Sequence, residues 1–85
     1  MVSKTVKIEI QGGLEARPVA MLVQVASQYE SSIYIETESK RINAKSIMGM
    51  MTLGLPANEE VVVTVVGADE EQALAGIESY LTGKN

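Results

Sequence analysis

The sequence predicts an α+β fold: a four-stranded antiparallel sheet covered on one face by three helices, in the chain order βαββαβα. Three observations carry this. Residues 5–10, TVKIEI, alternate polar and apolar. Residues 16–28 place Val19, Leu22, Val23 and Ala26 at helical spacing. Residues 60–67, EVVVTVVG, are almost entirely β-branched. A sheet with one apolar face, covered by amphipathic helices, makes an open-faced sandwich of two layers. Periodicity defines the elements and leaves strand order open.

Each element has its own signals. In the first strand Val6, Ile8 and Ile10 share one face. Gln11-Gly12-Gly13 is a turn. The first helix runs from Ala16 to about Gln28, with Pro18 in its first turn, where a missing N–H costs nothing. A second strand spans residues 32–37 with Ile33 and Ile35 inward. Glu38-Ser39 turns the chain into a short third strand, residues 40–43. Ser46 reads as the N-cap of a short helix from Ile47 to Leu53. Gly54 stops that helix, and Pro56 lies just beyond. The run at 60–67 is a central strand. Asp69-Glu70-Glu71-Gln72 has the form of a capping box. The last helix buries Ala73, Leu74, Ile77 and Leu81, with acidic residues in its first turn, where the helix dipole favours them.

Composition limits the chemistry. The 85 residues suit one domain, residues 1–85, with no repeats, linkers or low-complexity segments. Hydrophobic residues make up 46%, yet there is no Phe or Trp, so Val, Ile, Leu, Met and Ala must fill the core. There is no cysteine and no histidine. Disulfides, thiolate or imidazole metal sites and catalytic triads are therefore excluded. Neither a cofactor nor a metal is expected, and no catalytic residue is assigned. The net charge of -4, without a basic stripe or aromatic platform, argues against direct nucleic-acid binding. MVSKTVKIEIQGG lacks the apolar region of a signal peptide, and no apolar run reaches the length of a membrane span. A cytoplasmic protein, with no membrane partner, is the expectation.

Two segments stand out: Gly13-Leu14-Glu15-Ala16-Arg17-Pro18 and Asn43-Ala44-Lys45-Ser46-Ile47-Met48-Gly49. Together they resemble the two signature segments of HPr, the small phosphocarrier of the bacterial phosphoenolpyruvate:sugar phosphotransferase system. The resemblance runs from Val6 to Leu81. It implies the HPr-like open-faced β-sandwich, with the first strand beside the fourth and the second beside the third. In that family the first segment reads Gly-Leu-His-Ala-Arg-Pro, and the histidine carries the phosphoryl group. Here Glu15 stands in its place, so Glu15, Ala16, Arg17 and Pro18 form a degenerate phosphocarrier site.

Glu15 admits three roles. A carboxylate near a helix N-terminus is stabilising by about 0.3–1 kcal/mol, and it is within reach of a surface pairing with Arg17. It could accept phosphate as a labile acyl phosphate. It could also mimic a phosphorylated state, with one charge against up to two. The resemblance implies that relay of phosphate to sugar permeases is lost.

Ser46 as an N-cap is worth around 1 kcal/mol. The resemblance adds that in Gram-positive bacteria an ATP-dependent HPr kinase/phosphorylase modifies the matching serine. Arg17, Ala20, Met21, Ile47, Met48 and Met51 surround it as a candidate partner-binding surface. A helix as short as residues 47–53 cannot bury every apolar side chain it carries, and flexible Met side chains suit several partners. The implied function is a regulatory protein of carbon catabolite control, phosphorylated at Ser46. Its implied partners are the kinase/phosphorylase, a catabolite-control transcription factor and phosphotransferase-system enzymes. The alternatives are an atypical phosphocarrier or decoy acting through Glu15, and an interaction module that is never phosphorylated.

Overall fold

The computed structural model describes residues 1–83. Seven elements follow in order: β1 (Val2–Lys7), α1 (Ala16–Ser27), β2 (Ser32–Glu36), β3 (Arg41–Asn43), α2 (Ile47–Met50), β4 (Glu60–Val66) and α3 (Glu70–Leu81). The sheet is antiparallel throughout, in the order β1-β4-β2-β3. Strand β4 is central, as its β-branched run predicts. It pairs with β1 through Val65↔Val2 to Glu60↔Lys7, and with β2 through Val66↔Ser32 to Val62↔Glu36.

Alternation sets the two faces. Val61, Val63 and Val65 of β4, Ile33 and Ile35 of β2, and Val6 of β1 are buried on the helix side. Val19, Leu22 and Ala26 of α1, Met50 of α2, and Ala73, Ile77 and Leu81 of α3 meet them. Each fully buried aliphatic side chain stabilises the fold by roughly 1.5–3 kcal/mol relative to exposure. Leu74, expected in the core, is half-buried and packs against its margin. The opposite face carries Thr64, which donates to Glu36 Oε2 at 2.7 Å, and Tyr34, whose ring lies 4.2 Å beneath the Arg41 guanidinium.

Several element boundaries differ from the sequence reading. Strand β1 starts at Val2 and ends at Lys7, not at residues 5 and 10. Its early half was obscured by Lys4, which shares a face with Val2 and Val6 and extends to Glu78 of α3 at 2.7 Å. Beyond Lys7 the ladder fails because Asn58 turns at positive φ (76°). Ile8 then bonds to the loop instead, its N–H to Glu59 O and its carbonyl to Asn58 N. The strands β2 and β3 are one residue shorter at their turn, which Thr37 N–H closes onto Lys40 O.

Helix α2 is shorter than residues 47–53. After Met51 the backbone bonds tighten to i→i−3, Thr52 N to Gly49 O and Leu53 N to Met50 O, while Thr52 Oγ1 also takes Gly49 O. Gly54 does sit at positive φ (51°) after this turn.

The capping box at Asp69–Gln72 does not form. Asp69 is the N-cap residue of α3 but makes no side-chain cap bond. Its carboxylate instead accepts three bonds from the α1–β2 connection: Glu30 N at 3.0 Å, Ser31 N at 3.0 Å and Ser31 Oγ at 2.5 Å. Ser31 is buried, so its amide and hydroxyl need a partner. The reach back to Gly67 N is made by Glu70, not Gln72.

The Ser31 hydroxyl and the Glu30 amide hold the Asp69 carboxyl below its ordinary value. With the folded value depressed, the stabilisation is complete above about pH 4 and is lost as pH falls through the folded value. Thermal unfolding of Asp69→Asn against the parent should show a lower Tm at pH 7. The gap should shrink as both proteins are taken below about pH 4. A gap that stays constant with pH would assign the loss to packing.

Candidate regulatory and docking surface

The first segment is held by a backbone clamp. Gly13 has φ of 78°, and a Cβ there would lie 2.5 Å from Leu55 O and 2.7 Å from Ala57 N. Both the dihedral and the contact require glycine. The next residue, Leu14, is fully buried and bridges Leu55, its N–H donating to Leu55 O at 2.7 Å. This fixes where α1 begins. Any side chain at 13 displaces the backbone of 55–57. Gly13→Ala should therefore cost about 1–3 kcal/mol in chemical denaturation, with a smaller loss expected if the 55–57 loop yields freely.

Glu15 is the N-cap residue of α1, in extended conformation, and its carbonyl accepts the Val19 N–H at 2.7 Å. Its side chain makes no cap bond and is exposed. Arg17 is exposed as well. The pairing of Glu15 with Arg17 considered from sequence is not formed: the ion pairs among the described residues are Met1 N-terminus–Glu70 and Lys4–Glu78. Pro18 lies within the first turn, where its carbonyl accepts the Tyr80 hydroxyl of α3 at 2.9 Å. Burial raises the pKa of that phenol, which keeps it a donor.

The second segment is built just as specifically. Ala44 is fully buried and its N–H donates to Ile33 O at 2.8 Å. Asn43 Oδ1 accepts the Lys45 N–H at 2.8 Å, and its carbonyl accepts the Ser46 N–H at 3.0 Å. The Lys45 ammonium donates to Tyr29 O at 2.6 Å, just past the end of α1. Sequence reasoning gave neither Asn43 nor Lys45 a structural role. The signal was present for Asn43, because an Asn two residues before an amide is the pattern of an Asx turn.

Ser46 is the N-cap of α2, as its spacing predicts. Its Oγ accepts the Gly49 N–H at 3.2 Å, and the residue is exposed. Gly49 suits this turn closely, since a Cβ would meet Ile42 Cγ2 at 3.0 Å.

Helices α1 and α2 pack against each other. Of α2's apolar residues only Met50 is buried; Ile47 and Met48 are exposed, as are Met51 after it and Met21 on α1. Ala20 is half-buried beside Met21. Arg17 and Met21 are one turn apart and share a face of α1. The surface of α1 and α2 thus exposes a hydroxyl, a guanidinium and flexible apolar side chains. It offers contacts to a macromolecule rather than an enclosed pocket.

Comparison with known proteins agrees with this architecture. The family model described as PTS HPr component phosphorylation site matches residues 2–82. HPr-like protein Crh of Bacillus subtilis is 40% identical over 81 residues, 95% of each chain. Phosphocarrier protein HPr of Treponema pallidum is 42% identical over 84 residues, 99% of this chain and 96% of that one. Among solved structures, phosphocarrier protein HPr from Bacillus anthracis superposes with a TM-score of 0.90 at 40% identity, covering 94% and 95% of the two chains. The crystal structure of B. subtilis Crh, described as a swapped dimer, gives 0.78 at 38% identity, covering 99% and 97%. These relatives are phosphocarrier and HPr-like regulatory proteins rather than enzymes, and this chain belongs to the HPr family, on its Crh-like side.

Proposed function

We propose that this protein is a serine-switched regulator of carbon catabolite control in the cytoplasm. An ATP-dependent HPr kinase/phosphorylase phosphorylates Ser46, and the phosphorylated form docks on a catabolite-control transcription factor through Arg17, Ala20, Met21, Ile47, Met48 and Met51. The observation that carries this reading is the placement of Ser46. It is an exposed hydroxyl at the start of α2, in a turn bonded by Asn43 and Lys45, followed directly by the exposed Ile47 and Met48. Transfer of the γ-phosphoryl group to Ser46 Oγ adds close to two negative charges. Those charges sit where the first amides of α2 and the helix dipole tolerate them, so the surface changes while the fold stays.

Loss of the carrier role completes the reading. The chain has no histidine, and residue 15 at the matching position is a carboxylate. Incubation with phosphoenolpyruvate and the general enzyme of the phosphotransferase system should leave the parent protein unmodified by intact mass. Glu15→His should gain an acid-labile phosphoryl group, since Arg17 and the free start of α1 are already in place. A phosphorylated parent would instead favour Glu15 as an acceptor. A variant that stays unmodified would place the divergence in the docking surface as well.

The decisive experiment for Ser46 is incubation with ATP and an HPr kinase/phosphorylase, read by intact mass. One phosphate on the parent and none on Ser46→Ala is the expected outcome. No phosphate on either protein would leave Ser46 a helix cap, and would transfer the role of the apolar surface to an unphosphorylated interaction.

A further inference from the structure

Exposure is unequal among the five methionines. Met50 is 0% exposed, whereas Met48 is 81%, Met51 53% and Met21 46% exposed. Apart from Met1, every exposed methionine lies on α1, on α2 or on the residue that ends α2, and these two helices pack together. The remaining exposed large apolar residue there is Ile47, which has no oxidisable atom. With no cysteine in the chain, thioether sulfur is the redox-active group most open to peroxide.

We propose that Met21, Met48 and Met51 are a peroxide-sensitive modification site that closes the docking surface when oxidised. This rests on the proposed phosphorylation of Ser46, and takes the kinase/phosphorylase to approach Ser46 across the same surface. A thioether sulfur lone pair attacks one oxygen of hydrogen peroxide. The S–O bond forms, the O–O bond breaks, and the departing oxygen leaves as water after proton transfer. Sulfur is oxidised by two electrons and the peroxide is reduced by the same two. Methionine sulfoxide reductase reverses the change, taking two electrons from a pair of thiols and releasing water.

The consequence follows from polarity. A thioether enters an apolar interface with little desolvation, and its flexibility lets it fit. A sulfoxide carries a strong acceptor oxygen that must be stripped of water and left without a donor in that interface. Three such groups turn the apolar part of the surface polar, leaving Ile47 alone. The fold is spared because Met50, the methionine that α2 contributes to the core, is shielded.

The test uses the intact protein and hydrogen peroxide. Peptide mass mapping should find oxygen on Met48 first, then on Met51 and Met21, with Met50 unmodified in the folded chain. Ser46 phosphorylation by the kinase/phosphorylase is then measured for treated and untreated protein, and the ratio is read within each variant. For the parent, kcat/KM should fall about tenfold or more on treatment and recover after incubation with methionine sulfoxide reductases and dithiothreitol. For Met21→Leu/Met48→Leu/Met51→Leu, which still carries Met1, the treated and untreated rates should agree.

An unchanged parent ratio with all three sulfoxides present would overturn the proposal and leave the Ser46 reading standing. So would oxidation of Met50 as early as Met48. An untreated parent that takes no phosphate would overturn the Ser46 reading, and closure of its docking surface with it.

Discussion

The molecule is organised around β4. It is hydrogen-bonded on both edges and buried on one face, so its register dictates where both of its neighbours lie. A one-residue slip would send Val61, Val63 and Val65 to the open face and bring Val62, Thr64 and Val66 against the helices. Both segments of the candidate docking surface are referred to this strand by backbone bonds. Leu14 is clamped to Leu55 in the loop that leads into β4. Ala44 is bonded to Ile33, which faces Val65 across the ladder. The start of α1 and the start of α2 are thereby positioned by the most buried strand in the fold. This is the usual economy of a functional surface carried on loops and helix ends over a rigid sheet.

Exposure of apolar side chains on α2 is a geometric necessity of the same design. Four helical residues offer about one turn, and only one side of a turn can face the sheet. Met50 takes that side. The i→i−3 tightening after Met51 then ends the helix before a second turn could bury Met48 or Met51. A polar residue at these positions would serve solubility better. Their apolar character is what gives the surface something to bury against a partner.

Much of this was legible in the sequence, and several of the failures share a cause. Alternation and helical spacing located seven elements, and the N-cap pattern placed Ser46 correctly, because local bonding decides both. Readings failed where a side chain left its own element. Lys4 interrupts the apolar face of β1 because its ammonium reaches Glu78, 74 residues away. Asp69 has the sequence of a capping residue, yet buried Ser31, 38 residues earlier, claims its carboxylate. Glu15 and Arg17 are two residues apart and remain unpaired. At a helix start such neighbours point in different directions, and water solvates both. No short window of sequence contains Lys4 with Glu78, or Ser31 with Asp69. The identity of the family came from elsewhere, from two short segments whose glycine, asparagine and serine are demanded by backbone geometry.

The arrangement of charge gives the proposed switch its logic. Glu15 places a permanent carboxylate at the start of α1, exposed and free of any cap bond. Ser46 places a hydroxyl at the start of α2, where charge appears only on modification. A chain carrying a phosphohistidine at the first position and a phosphoserine at the second would present four states to its partners. In the proposed switch, with histidine absent, only the second position would change its charge by phosphorylation. In that switch Arg17 would serve a different purpose from charge neutralisation at its own helix end. It is an exposed guanidinium with no ion-pair partner among the described residues, on the same face as Met21. Planar, bidentate guanidinium groups favour carboxylate and phosphate partners. A partner docking on this surface would therefore meet one fixed cation, a body of deformable apolar side chains and one switchable anion. In the proposed switch the apolar part would supply affinity, and the anion would decide when that affinity is used.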